Sequence, residues 1–178
     1  DRVWIWNADV NGVDYLGIPY TSGEWMHIAL VHTNGVLSAY RNGELVGSTG
    51  SGTTYAPRNG RLFIGGSGRS DTSRYFDGQM DEVRIWNAGL NAAEISTWWN
   101  QELNSSHPNW GNLAAYYKMS DGSGIVLTDD SRNGHAGELA GGMGDANWVT
   151  SGALDGSGTS PTATPLPSFT PTATAVPP

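Results

Sequence analysis

Apolar and polar positions alternate over short stretches of this chain, with glycine and asparagine at the breaks, which predicts a protein built mainly of β-strands. Residues 2–6 and 13–18 are strand candidates joined through Asn11-Gly12. Gly23 leads into residues 25–33, apolar on both faces as a central strand would be. Asn34-Gly35 and Asn42-Gly43 then separate residues 25–33, 36–41 and 44–48. Both pairs predict tight hairpins, because both central turn positions need positive φ. Residues 61–65 are the next strand candidate.

The segment 75–86 reads as a strand entered through Asp77-Gly78. Alternation puts Met80, Glu82, Arg84 and Trp86 on one face and Asp81, Val83 and Ile85 on the other. Asp81 then points inward with two aliphatic neighbours, where a carboxylate needs a cation or several donors. Asn91 followed by Glu94 predicts a capped helix running to about Asn100, with Ile95, Trp98 and Trp99 as its apolar stripe. Beyond a polar connector over 101–112, strands are expected at 113–119, 125–128, 137–140 and 147–150. Asp1–Ala8 and Asp81–Ala88 match at six of eight positions, but their flanks do not, so two strands sharing one pattern is the simpler account.

Composition sharpens this picture. Eight tryptophans, seven tyrosines and 25 glycines among 178 residues suit an all-β, turn-rich domain. Nine Lys+Arg against 17 Asp+Glu leave a net charge of −8, which argues against nucleic acid or an anionic membrane and is compatible with calcium or neutral polymers. With no cysteine there is no disulfide framework and no thiolate site. No apolar run approaches the roughly 18–20 residues of a membrane span, so no membrane insertion is expected. Residues 160–178 hold six of the nine prolines and no charge. The stretch 155–178 therefore reads as a disordered Thr/Pro-rich linker of polyproline II character, which suggests a multidomain secreted or cell-surface protein. The domain proper is placed at 1–154.

Asp129-Asp130-Ser131-Arg132-Asn133-Gly134 is the best chemical signal. Oxygen-bearing side chains at alternate positions followed by glycine resemble the first half of a calcium loop, since they can turn oxygens inward at a hard cation. The glutamate that would complete an EF-hand is missing, because Ala140 stands there. A calcium site would use Asp129, Ser131 and Asn133, with Asp81 as the further ligand. The other reading is an Asx-type turn bonded to its own backbone.

His27 and His32 fall on opposite strand faces, and His107 and His135 lie elsewhere, so zinc is not expected. The adjacent pairs Asp81-Glu82 and Asp129-Asp130 point to opposite faces, and no Glu-x-Asp-x-x-Glu run is present, so catalysis is not expected. Trp25, Trp86, Trp98 and Trp99 read as core. Tyr15, Tyr20, Tyr55, Tyr75 and Trp110 sit in or near predicted loops and are the candidates for ligand contact.

Gly23-Glu-Trp-Met-His-Ile-Ala-Leu-Val31, Tyr40-Arg-Asn-Gly-Glu-Leu-Val-Gly47 and Phe76-Asp-Gly-Gln-Met-Asp-Glu-Val-Arg-Ile-Trp-Asn87 resemble successive signatures of a bacterial laminin G-like domain of the concanavalin A-like lectin/glucanase superfamily. The helix with Leu90 and Ala93-Glu94-Ile95, Ala115 through Gly124, and Leu127 through Gly137 are similar to the same family. The resemblance implies a jelly-roll sandwich of two antiparallel sheets with one short helix, often binding calcium and sometimes glycans or proteins. Two departures stand out. The usual opening strands are missing before Asp1, and 113–150 resembles the family's N-terminal region although it follows the helix. Either a second copy begins there, or the domain is circularly permuted and this segment completes the same sandwich. Arg132 stands where the family commonly has glycine.

The expected function is a noncatalytic, calcium-stabilised extracellular binding module for a glycan or surface polysaccharide, or for a protein. The alternatives are a structural or adhesive spacer of a multidomain surface protein or secreted enzyme, and a glucanase.

Overall fold

The computed structural model describes residues 2–7, 14–50, 62–66 and 75–154. The expected linker over 155–178 and the ligand candidate Tyr55 lie outside these residues. Within them the protein is β-structure in antiparallel sheets with one short α-helix. Strands β1 (Arg2–Asn7) and β2 (Asp14–Pro19) pair with each other. Strands β3 (Ile28–Thr33), β4 (Val36–Arg41) and β5 (Glu44–Gly50) form a three-stranded sheet with β4 in the middle.

Both hairpins of that sheet turn on the expected pairs. Asn34 and Gly35 have φ of 52° and 76°, and Asn42 and Gly43 have 49° and 82°. Such left-handed pairs match the twist of the flanking strands.

Within residues 25–33, expected as a central strand, β3 is shorter, and among the described residues it pairs with β4 alone. Leu30 is 50% exposed, and β4, between β3 and β5, buries Ala39 and Tyr40. One face of the sheet is small at Gly47, and Leu16 of β2 packs there, next to the fully buried Ile18. On the other side, Trp99 packs over Gly43, and Gly89 sits against Val31 and Thr33. Each face of the sheet thus has contacts of its own, while Leu30 and Leu45 stay at least half exposed.

The strand expected over the 75–86 segment is only four residues long, β6 (Val83–Trp86). Glu82 has φ of +53°, which breaks the extended backbone immediately before it. Likewise residues 62–66 do not form the expected strand, and bends occupy Ile64 to Gly66. The helix α1 (Ala92–Trp98) begins as expected. The Asn91 side chain accepts from Glu94 N at 3.0 Å and Glu94 returns the bond to Asn91 N at 2.9 Å.

After a 3-10 turn at Trp110–Asn112, β7 (Leu113–Tyr117) pairs with β6, and β8 (Val126–Leu127) pairs with β9 (Gly137–Glu138). A 3-10 turn at Asp145–Asn147 stands where the last strand was expected to start. The β6–β7 ribbon is covered on both faces. Tyr116 packs with Leu103 and Leu113 beneath Trp86, Trp98 and Trp110, while Ala115, Tyr117 and Leu127 pack with Val83, Ile85 and Trp148. His107 is buried between Trp86 and Trp98, at 4.6 and 5.0 Å between ring centres. The segment after the helix is therefore joined to the strand before it.

Candidate ligand-binding groove

The inward carboxylate of the 81–86 segment is Glu82, not Asp81. The left-handed residue breaks the alternation that assigned Asp81 to the core, and the Glu82 side chain is 11% exposed. Its Oε2 accepts from Arg84 Nη2 at 2.6 Å and from the Tyr116 hydroxyl at 2.6 Å. Arg84 also donates to the carbonyls of Trp98 at 2.8 Å and Gln101 at 2.5 Å, and Leu103 N donates to the Tyr116 hydroxyl at 3.3 Å. Burial, and then the bond to Glu82, push the Tyr116 phenol well above its ordinary range. Such a buried pair is tolerable because Glu82 has both a cation and a second donor.

Asp81 is held separately: it accepts from Glu82 N at 2.9 Å and from the Ser151 hydroxyl. The structure does not bring it to the 129–134 loop through either bond. In that loop the Asp129 side chain, 3% exposed, is filled by donors. Oδ1 accepts from Tyr116 N at 3.1 Å, Ser131 N at 3.0 Å and Ser131 Oγ at 2.6 Å, and Oδ2 accepts from His135 N at 2.9 Å. Burial alone would raise its pKa, but these four bonds outweigh it and lower the pKa from 3.8 to about 2.

Asn133 turns its Nδ2 toward the Leu113 carbonyl at 2.7 Å. Calcium needs converging free oxygens. Here Ser131 Oγ and Asn133 Nδ2 donate to Asp129 and to β7 carbonyls, and Asp129 accepts from its loop and from β7, so as folded these side chains do not converge free oxygens on one point. In this arrangement Asp129 and Ser131 make an Asx-type turn. Among the described residues no cluster of three or more His, Asp or Glu side chains is placed to hold a metal.

A groove of about 560 Å³ is lined by residues from 81–82, 102, 118–122 and 148–154. Asp81, Glu82, Glu102 and Lys118 supply its charges, Ser120, Thr150 and Ser151 its hydroxyls, and Met119, Trp148, Val149 and Leu154 its apolar wall. Trp148 is fixed by a bond from Nε1 to the Gly124 carbonyl at 2.9 Å and by packing against the Ala115–Tyr117–Leu127 cluster. Lys118 donates to Glu102 at 3.0 Å, and that bond, foremost, raises its pKa. A fixed indole beside hydroxyls and charged groups can hold a ligand with both an apolar face and a polar rim.

The ligand candidates from sequence are scattered. Trp110 packs against the Leu103–Leu113–Tyr116 cluster, because the turn at 110–112 folds it onto β7. Tyr20 and Tyr75 are 38% and 56% exposed and do not line this groove. The Tyr15 side chain lies outside the described residues. Sequence reading missed Trp148, Glu102 and Lys118, which come from separate segments without a shared local motif. The fact that Lys118 is the chain's sole lysine was the available signal.

A laminin G family model, described as concanavalin A-like lectin/glucanases superfamily, matches residues 2–96, more than half of the chain. The chain belongs to this superfamily. The match stops inside α1, so the groove's later walls lie beyond it. A crystal structure of a "putative carbohydrate binding protein" from Bacteroides ovatus is similar over 74% of this chain and 41% of its own, with 23% identity and a TM-score of 0.56. The present chain thus spans less than half of that protein. An S-layer domain-containing protein from Clostridium thermocellum aligns over 54% of this chain and 49% of its own, with 27% identity and a TM-score of 0.38. No curated protein matches the chain. No helix among the described residues is long and apolar enough to cross a membrane.

Proposed function

We propose that this chain is a noncatalytic glycan-binding module of an extracellular or cell-surface protein, with the Trp148 groove as its seat. Sugars offer apolar C–H faces and hydroxyl rims, and the observation that carries this reading is one oriented indole beside carboxylates, an ammonium and three hydroxyls. Superfamily membership supports it, as does the likeness in fold to a protein named for carbohydrate binding. We read the jelly-roll as completed by β7 to β9 within the same domain. The groove glutamates each face a cation, Arg84 or Lys118, rather than the open carboxylate pair that glycoside hydrolysis uses.

The test is calorimetric titration of the chain against a panel of neutral oligosaccharides. Trp148→Ala should weaken binding roughly tenfold, about 1.4 kcal/mol. Tyr20→Ala and Tyr75→Ala should leave it unchanged. Binding that survives the loss of Trp148 but not of Tyr75 would move the seat elsewhere. No binding to any glycan would leave the spacer reading in its place.

A further inference from the structure

The charges on the groove wall are not equivalent. Glu82 is matched from behind by Arg84 at 2.6 Å, and Glu102 is matched by Lys118 at 3.0 Å. Among the described residues Asp81 meets the Glu82 amide and the Ser151 hydroxyl, and no cation there touches it. The groove therefore carries, among the described residues, one carboxylate that no cation compensates, and its single ammonium is already engaged.

We propose that the groove selects glycans carrying a protonated amino group, with Asp81 as the counter-ion; this rests on the glycan-binding reading above. A carboxylate at a partly enclosed wall attracts a cation more strongly than one in open water. The chain's net charge of −8 adds a field of the same sign. An N-acetylated sugar of the same shape would stack on Trp148 without that attraction. A uronic acid would meet Asp81 with no free cation among the described groove residues to offset the repulsion.

The experiment titrates the chain in mild acid, about pH 5.5, where sugar amines carry their protons and carboxylates remain ionised, and at low salt, with three tetrasaccharides: N-acetylglucosamine, its fully de-acetylated form, and galacturonic acid. The de-acetylated tetramer is expected to bind roughly three- to tenfold more tightly than the acetylated one, with the difference shrinking as salt rises. The uronic tetramer is expected to bind most weakly. Asp81→Asn should bring the first two within about twofold of each other. Ser151→Ala removes the neutral bond to Asp81 but keeps its charge, so the preference should persist. If Asp81 only anchored the 151 segment, both variants would change binding alike. Equal or tighter binding of the acetylated tetramer, or a preference that survives Asp81→Asn, overturns this inference and leaves the glycan-binding reading intact. Failure of all three tetramers and of neutral glucans overturns both.

Discussion

Replacing Asp129 by asparagine tests the hydrogen-bonded loop at 129–135. The native carboxylate accepts from Tyr116 N, Ser131 N, Ser131 Oγ and His135 N. However the amide is oriented, its NH2 end faces a donor, so at least one of these bonds is lost. An unsatisfied buried donor costs about 1–3 kcal/mol. The native pKa, lowered from 3.8 to about 2, corresponds to about 2 kcal/mol favouring the folded carboxylate, and at 3% exposure solvent screens little of it. We therefore expect Asp129→Asn to lose about 3 kcal/mol at neutral pH, measured by urea unfolding.

The sign of the pH dependence follows from the depressed pKa. The ionic contribution is fully present above the unfolded value of 3.8 and is lost as pH falls through about 2. The gap between native chain and variant should therefore stay constant above that window and narrow by about 2 kcal/mol within it. A gap that is absent, or that does not change with acid, refutes the reasoning. The same two proteins melted with calcium and with chelator should show no shift. A calcium-dependent rise in Tm that Asp129→Asn abolishes would mean the donors yield to the ion.

Two further predictions rest on the β3–β5 sheet and the helix above it. Burial, and then the Arg84 charge, lower the His27 pKa from 6.5 to about 4. The neutral ring is thus favoured, and its contribution is complete above 6.5 and lost as pH falls toward 4. His27→Gln should flatten that part of the stability profile by about 2–3 kcal/mol, and an imidazole titrating by NMR near its ordinary value would contradict it. Gly43→Ala would set a Cβ 2.5 Å from Trp99 Cδ1 at a φ of +82°. Strain and overpacking together should cost about 2–3 kcal/mol in thermal or urea unfolding, and a neutral effect would mean Trp99 is not seated there.

How far the sequence could be read depended on the range of the interactions involved. The two Asn-Gly hairpins and the Asn91–Glu94 cap are set by neighbours a few residues apart, and they fold as their patterns predict. The 75–86 segment fails at one residue, since a left-handed glutamate violates the period-2 rule with no local warning. Its conformation answers to Tyr116, 34 positions later. The groove is harder still, because it assembles residues 81–82, 102, 118–122 and 148–154, and its aromatic wall has no motif of its own. The Asp129 loop shows a different limit. Alternating oxygens suit either a metal or a turn, and only the direction of the donors tells them apart.

Arg84 bears on where this domain can be cut. Helix α1 has no basic residue in its last turn, and Arg84 supplies the missing charge by reaching the carbonyls of Trp98 and Gln101. The same guanidinium neutralises Glu82, which Tyr116 of β7 completes. The stretch recognisable by family ends at residue 96, whereas this bonded unit extends to at least residue 116. A fragment trimmed to the recognisable stretch would keep the guanidinium and lose three of the four bonds that hold Glu82 and Arg84 in place. The bonded unit is therefore longer than its evolutionary signature.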